Sequence, residues 1–156
     1  QRRPVIQTKI KNLVTGSVFD RNFHQGDTLE QAELSKFEAK FLYCHRDSCF
    51  FHKTNNPSKR FDVDSERIGP QAKFLKPNQI VEAMLFNEKI INISLPIKIQ
   101  LKVAEAPPGV KGDRAQSGTK IVTLETGAKI NVPLFIEEGD IIELNTQTEE
   151  YTRRIE

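Results

Sequence analysis

The chain has 156 residues and carries 23 basic and 21 acidic side chains, which gives a formal net charge of +2. Hydrophobic residues make up 37% of it and include ten Phe, so the chain can bury a core and disorder of the whole chain is excluded. No apolar run is long enough for a membrane span, and the opening residues lack the apolar segment of a signal peptide. We therefore expect a soluble intracellular protein.

Charge is distributed unevenly along the sequence. Residues 1–60 carry 11 basic and 6 acidic side chains, whereas residues 101–156 carry 7 basic and 10 acidic ones. A basic N-terminal part indicates a polyanionic partner, although ordinary solvated charge explains the same excess.

Alternation of apolar and polar residues, the pattern of a half-buried strand, recurs along the whole chain. In chain order it predicts strands at residues 6–10, 17–23, 37–44, 49–52, 61–64, 80–86, 89–93, 97–103, 120–125, 128–132 and 141–145. Four residues of the third strand are predicted to share one face: Phe37, Ala39, Phe41 and Tyr43. Only residues 65–75 have a helical pattern, and Pro70 limits it to a turn or two. The sequence predicts an all-β protein.

The spacing of these strands indicates several small barrels and not one large sandwich. Turn residues at Gly26-Asp27 and Leu95-Pro96 place boundaries that divide the chain into segments 1–31, 32–97 and 98–156. The second and third segments each have the length of a five-stranded OB-type barrel, whereas the first is too short to close a barrel alone. We expect a partial barrel followed by two OB-type five-stranded β-barrels.

Two cysteines lie in the middle segment. Residues 41–44 and 49–52 have the pattern of two strands that flank a four-residue turn at 45–48, so Cys44 and Cys49 are predicted to face each other across a hairpin. With His52 nearby a structural zinc site is one alternative and a redox-labile pair another, but no second Cys pair completes a zinc motif. Two free thiols are the favoured interpretation.

No sequence motif meets the requirements of a catalytic or cofactor-binding site. Residues 112–120 resemble a phosphate-binding P-loop, but five residues separate the glycines and Thr119 precedes Lys120 instead of following it. The three His all lie within residues 24–52, and there is no Gly-x-Ser-x-Gly elbow. We therefore predict a protein that is not an enzyme and has no catalytic residue, metal ligand or cofactor. Residues 112–120 are predicted to belong to a long contact-bearing loop between strands.

Motifs along essentially the whole chain resemble the bacterial elongation factor P family. They are residues 8–13, 15–17, 41–43, 108–113, 118–120, 123–127, 132–136 and 139–140, with the terminal Glu150, Tyr151 and Arg154. The resemblance implies an SH3-like domain I, of which residues 1–31 are the C-terminal part, and OB-type domains II and III, in an L shape like that of a tRNA. It also implies a cytoplasmic bacterial protein, with an organelle matrix or stroma as the alternative.

The resemblance implies a role in translation. Members of the family bind both ribosomal subunits between the exit and peptidyl sites, contact the peptidyl-tRNA and promote peptide-bond formation at consecutive prolines. Proline is a conformationally locked, poor nucleophile, so holding the end of the peptidyl-tRNA in a reactive geometry lowers the barrier by orientation alone. The implied partners are thus the ribosome, peptidyl-tRNA and mRNA at the exit site, bound by a monomer.

Several residues match, position by position, those that contact RNA in the family or lie close to such residues. The predicted tRNA- or ribosome-binding set is Arg2, Arg3, Gly112, Asp113, Arg114, Lys120, Tyr151 and Arg154. Two positions depart from the family pattern: Arg114 stands where Thr is common, and Glu149 where Gly is usual.

A third departure concerns the tip of domain I. The family carries there a Lys or Arg, often modified, and that position falls at or beside Gln1, with Arg2 and Arg3 as nearby cations. We expect that the tip loop precedes Gln1; the alternative is that this protein has Gln where the family carries a cation. For the function, the alternatives to proline rescue are a ribosome- or RNA-binding relative that has lost it and a general OB-fold binder of single-stranded nucleic acid.

Overall fold

The computed structural model describes residues 4–108 and 118–155. The strands in this part of the chain are β1 Val5–Lys11, β2 Val18–His24, β3 Ser35–His45, β4 Ser48–Lys53, β5 Asn56–Asp64, β6 Ile80–Phe86, β7 Lys89–Ser94, β8 Lys98–Glu105, β9 Thr119–Leu124, β10 Lys129–Pro133, β11 Ile141–Asn145 and β12 Glu150–Ile155. Helix α1 spans Ser65–Ile68 and a 3-10 helix spans Gly69–Phe74. Neither helix is long and apolar enough to cross a membrane. The all-β prediction is confirmed.

The strands form three antiparallel sheets. Strands β1 and β2 make a two-stranded sheet, which we call the ribbon. The middle sheet has the order β5-β4-β3-β6-β7 and the C-terminal sheet the order β10-β9-β8-β11-β12. If the strands of either sheet are numbered along the chain, both orders become 3-2-1-4-5. This is the Greek-key order of a five-stranded OB-type barrel, as the sequence predicted.

Each five-stranded sheet curls round apolar side chains on its inner face. The edge strands of the sheet touch each other in both cases, β5 against β7 and β10 against β12. Along β8 the alternation is complete, with Ile99, Leu101 and Val103 buried and the residues between them exposed. In the middle sheet Phe51 is fully buried and Phe61 stacks on it with 5.5 Å between ring centroids. Burying a side chain of this size contributes about 1.5–3 kcal/mol.

The short helical segment is fixed by its ends. The Asp64 carboxylate accepts a hydrogen bond of 3.0 Å from the Glu66 backbone N–H, as an N-cap does. Gly69 has φ of 78°, a left-handed conformation that stops α1 after one turn. The 3-10 helix that follows contributes Phe74, which is fully buried.

The β3–β4 hairpin differs from its prediction in two ways. Its turn contains only Arg46 and Asp47, because His45 pairs with Ser48, so the predicted four-residue turn is wrong. Arg46 accommodates this tight turn with a positive φ of 53°. Cys44 and Cys49 face each other as predicted, but they are joined by a disulfide bond, so the prediction of two free thiols is wrong.

One residue of β3 also lies on the opposite face from that predicted. Phe41 pairs with Phe51 and Tyr43 pairs with Phe50, so Leu42 is an extra residue, a β-bulge. Because Phe51 and Phe50 are consecutive, their partners face opposite sides of the sheet. Tyr43 therefore points outward and is 52% exposed, whereas Phe41 is buried.

Strand β12 has no counterpart among the strands predicted from alternation. It contains only two large apolar side chains, Tyr151 and Ile155, and most of its residues are exposed. It forms an edge of the C-terminal sheet by pairing with β11. The hydrogen-bonded backbone, and not an apolar face, therefore defines this strand.

The ribbon buries little of its apolar surface within the described residues. Ile6 pairs with Phe23 and Ile10 with Phe19, so these four side chains lie on one face. Ile6 is 64% exposed and Phe19 is 48% exposed.

Polar contacts join the middle and C-terminal sheets. Thr146 is buried, and its Oγ1 donates a 2.8 Å hydrogen bond to the Pro96 carbonyl while its backbone N–H donates to the Ile97 carbonyl at 2.8 Å. The Lys73 ammonium pairs with the Glu149 carboxylate. The Lys76 ammonium donates to the Gln100 carbonyl at 2.8 Å and lies 3.6 Å from the Glu125 carboxylate. We call this set of contacts the seam.

We predict that Thr146→Val weakens the seam. Valine keeps the shape of the side chain but removes the hydroxyl that donates to the Pro96 carbonyl, which costs about 1 kcal/mol. Urea unfolding measures the change. Thr148→Val, at an exposed position of the same turn, is the control and is expected to alter the free energy of unfolding by less than about 0.5 kcal/mol. Equal effects of the two substitutions would contradict the role given to Thr146.

Candidate nucleic-acid interface

Three of the eight predicted RNA-contacting residues lie in the part of the chain that the structure describes. Lys120 lies on β9, and Tyr151 and Arg154 lie on β12. The other five lie outside the described residues: Arg2, Arg3, Gly112, Asp113 and Arg114.

A second β-bulge places Tyr151 and Arg154 on the same face of the C-terminal sheet. Tyr151 pairs with Leu144 and Arg154 pairs with Ile142, while Thr152 is the extra residue between them. In a regular strand two residues three positions apart face opposite sides, but here their partners are two positions apart and share a face. Tyr151 is half-buried against the core and Arg154 is exposed at the rim.

Arg154 is held over an aromatic ring. Its guanidinium carbon lies 5.6 Å from the centroid of the Phe135 ring, and Nη1 lies 3.7 Å from the Asp140 carboxylate. Phe135 is 58% exposed, so the pair lies at the surface. The N–H donors of the guanidinium that do not face the Asp140 carboxylate stay available for a phosphate or a base edge. This arrangement suits contact with RNA.

Lys120 lies on a different strand from that pair. Strand β9 pairs with β10, and β10 touches β12 where the sheet closes on itself. The Lys120 ammonium donates a 3.0 Å hydrogen bond to the Pro107 carbonyl, and so joins the strand that follows residues 109–117 to the residues that precede them.

The opposite face of β12 carries a structural ion pair. Arg153 lies 3.3 Å from the carboxylate of Glu143, whose side chain is only 9% exposed, and the Lys98 ammonium lies 3.7 Å from the same carboxylate. Glu143 Oε1 accepts no hydrogen bond within the described residues. The two adjacent arginines thus differ: Arg153 compensates a buried charge, whereas Arg154 lies at the surface over Phe135.

Sequence reasoning missed a surface on the middle sheet. The bulge at Leu42 puts the outward-facing residues of β3, β4 and β5 into two cross-strand rows. We call the resulting surface the aromatic–basic face, and its members are Lys40, His52 and Arg60 in one row and Tyr43, Phe50 and Asp62 in the other. Strict alternation hid this surface, because it assigns Tyr43 to the buried side. The signal that could have found it is the adjacent aromatic pair Phe50-Phe51, of which only one can face inward.

Within residues 4–108 and 118–155, no group of three or more His, Cys, Asp or Glu side chains could hold a metal ion.

Comparisons with known proteins agree with this architecture. Residues 1–29 match the family model "Elongation factor P (EF-P) KOW-like domain", and residues 99–154 match "Elongation factor P, C-terminal". The chain is 38% identical to the elongation factor P of Natranaerobius thermophilus over 150 residues, which covers 96% of this chain and 79% of the relative. It is 40% identical to that of Moorella thermoacetica over 149 residues, 96% of this chain and 80% of the relative.

A further relative extends the match to nearly every residue. The elongation factor P of Thermodesulfovibrio yellowstonii is 36% identical over 155 residues, which covers 99% of this chain and 82% of the relative. The fold and these matches show that the chain is a non-enzymatic translation factor built from small β-domains. The chain belongs to the elongation factor P family.

We predict unequal losses of stability for the two adjacent arginines. Arg153→Gln removes a partner of the buried Glu143 carboxylate and is expected to cost about 2 kcal/mol, moderated by the remaining Lys98 ion pair. Arg154→Gln removes only surface contacts and is expected to cost less than about 1 kcal/mol. Urea unfolding of both variants, with the parent chain as reference, gives the two values. A larger loss in Arg154→Gln would contradict the assignment of the two faces.

Proposed function

We propose that this chain binds the ribosome beside the peptidyl-tRNA, between the exit and peptidyl sites, and promotes peptide-bond formation where consecutive prolines stall translation. The observation that carries the proposal is identity of 36–40% to proteins called elongation factor P over 96–99% of this chain. Such identity over nearly the whole length supports a shared role more strongly than a shared fold alone does.

The chemistry proposed for the chain is positioning. A factor that lies along the peptidyl-tRNA and holds its reactive end in an attacking geometry lowers the entropic part of the barrier, and needs no acid, base or nucleophile of its own. Two stiff five-stranded sheets tied by the seam suit this task, because a flexible connection would transmit less of the binding energy to the tRNA end.

We assign the contacts as follows. Tyr151 and Arg154 contact tRNA and the small subunit from the rim of β12, where the bulge at Thr152 places them on the same side of the strand. The other proposed contacts lie outside the described residues: Arg2, Arg3, Gly112, Asp113 and Arg114. The last three are proposed to lie near mRNA at the exit site. Lys120 on β9 donates its hydrogen bond to Pro107, just before that segment.

We also propose the arrangement that accompanies this role. The domains are residues 1–31, 32–97 and 98–156, each built on one of the three sheets. The chain acts as a monomer in the cytoplasm. A relative that has lost proline rescue would keep the same ribosome contacts, so only an activity assay separates that alternative from the proposal.

Translation of a reporter with three consecutive prolines on purified ribosomes tests the proposed activity. The chain is expected to restore full-length product from this reporter and to leave a proline-free reporter unchanged. Equal yields with and without the chain, at concentrations where it binds ribosomes, would contradict proline rescue and favour the relative that has lost it.

We predict that Arg154→Gln weakens ribosome binding. Loss of one phosphate contact lowers the magnitude of the slope of log K against log salt by about 0.7–0.9 and reduces affinity at moderate salt. Arg153→Gln is the matched control, because it removes the same charge from the adjacent position on the other face. Pelleting with ribosomes over a salt series measures both. Equal losses in the two variants would point to net charge as the cause and would contradict the contact face.

A further inference from the structure

The aromatic–basic face of the middle sheet combines three exposed side chains, Tyr43, Arg60 and Asp62, with three half-buried ones, Lys40, Phe50 and His52. Tyr43 stacks on Phe50, with 4.9 Å between ring centroids and 25° between the ring planes, and remains 52% exposed. An aromatic ring held flat against a second ring presents a fixed π surface. Bases stack on such surfaces in single-strand-binding proteins, whatever their sequence.

The row beside the rings supplies positive charge. Lys40 pairs with His52 across β3 and β4, and His52 pairs with Arg60 across β4 and β5, so the three side chains form a line across three strands. None of the three has a carboxylate within 4.0 Å in the described part of the chain, unlike Lys36, which is paired with Glu82 at 2.7 Å. Lys40 and Arg60 are therefore cations without a carboxylate partner among these residues, and both are available to a phosphate.

His52 adds a hydrogen-bond acceptor to the same row. Its Nδ1 lies 2.9 Å from the Lys53 carbonyl oxygen. Because a carbonyl only accepts, Nδ1 carries the proton in this contact, and Nε2 is left to accept a hydrogen bond, as from a ribose 2′-hydroxyl.

Asp62 gives the face a direction. It lies in the aromatic row, opposite Phe50, and not in the basic row. A phosphate is repelled by this carboxylate and attracted by the row that contains Arg60.

Two features hold the face in shape. The bulge at Leu42 turns Tyr43 and Lys40 to the same side of the sheet, since their partners Phe50 and His52 are two positions apart. The disulfide between Cys44 and Cys49 joins the two strands at the next cross-strand position beyond the ring pair. The rings are therefore positioned before any ligand binds, which reduces the entropic cost of binding.

We propose that the aromatic–basic face binds an unpaired segment of RNA, with a base stacked on Tyr43 and its phosphate at the row Lys40, His52 and Arg60. This site is separate from the β12 contacts proposed above, and it does not depend on the chain acting in proline rescue. Charge complementarity selects the polyanion, and the exposed ring selects unpaired nucleotides over a duplex, whose bases are already stacked.

Fluorescence anisotropy of a labelled eight-nucleotide single-stranded RNA, titrated with the full chain at low salt, tests the proposal. Tyr43→Ala is expected to weaken binding by about tenfold or more, whereas Tyr43→Phe, which keeps the ring, stays within about twofold. The double variant Lys40→Gln with Arg60→Gln is expected to lower the magnitude of the slope of log K against log salt by about 1.4. A hairpin duplex of the same length is expected to bind more weakly than the single strand.

Lys89→Gln is the matched charge control in the same domain. Lys89 begins β7 at the turn after Phe86, which lies near the Ser35 end of β3. Tyr43 lies further along β3, about 26 Å from Ser35 at the usual strand rise of ~3.3 Å per residue. Lys89 is therefore far from the aromatic–basic face. This control is expected to bind the short RNA as the parent chain does. Thermal unfolding of each variant verifies its fold, and Tyr43→Phe tests the ring even if Tyr43→Ala is destabilised.

Three results would overturn the proposal. The first is no binding of the single strand by the parent chain. The second is unchanged affinity in a folded Tyr43→Ala variant, which would remove the stacking contact. The third is an equal loss in Lys89→Gln and in the variants of the basic row, which would show attraction by net charge alone.

Discussion

A single extra residue in an antiparallel strand reverses the side on which every later residue of that strand lies, and both surfaces discussed above depend on such a residue. Leu42 in β3 and Thr152 in β12 are those extra residues. Each bulge puts a cation and an aromatic side chain, three positions apart, on one face: Lys40 with Tyr43, and Arg154 with Tyr151. Without a bulge, each of these pairs would be split between opposite faces of its sheet.

The basic side chains discussed above fall into two groups with different uses. Lys73 and Lys76 form ion pairs in the seam, and Lys98 and Arg153 form ion pairs with the buried Glu143. Lys40, Arg60 and Arg154 lie at the surface beside aromatic rings or in a row without carboxylates. Net charge alone conceals this division, because +2 for the whole chain counts structural and exposed cations together. For a factor that contacts RNA, the second group is the one that matters.

Alternation of apolar and polar residues was sufficient to predict the fold class, because the sheets bury one face and the inward side chains repeat with period two. It located β8 and the β6–β7 hairpin, whose turn residues Asn87 and Glu88 both have positive φ as a tight turn requires. It failed for β12, where backbone pairing and not an apolar face makes the strand, and for Tyr43, where the bulge shifts the alternation. A bulge is set by the pairing with a second strand, so a pattern read along one strand cannot locate it.

The candidate site was predictable to a smaller extent. The family resemblance proposed Tyr151 and Arg154 as contacts, but it did not predict the bulge that brings them to one face or the Phe135 ring near the guanidinium. It also proposed Lys120, without predicting the hydrogen bond that Lys120 donates to the Pro107 carbonyl. The bulge, the ring and this hydrogen bond depend on long-range pairing and side-chain geometry, which composition and spacing do not encode.

Cryo-electron microscopy of ribosomes stalled at consecutive prolines, incubated with the chain, tests the proposed binding site. We expect density for the three sheets between the exit and peptidyl sites, with the rim of β12 that carries Tyr151 and Arg154 against RNA. Density for the chain at another place on the ribosome, or a vacant site at saturating concentration of the chain, would contradict it.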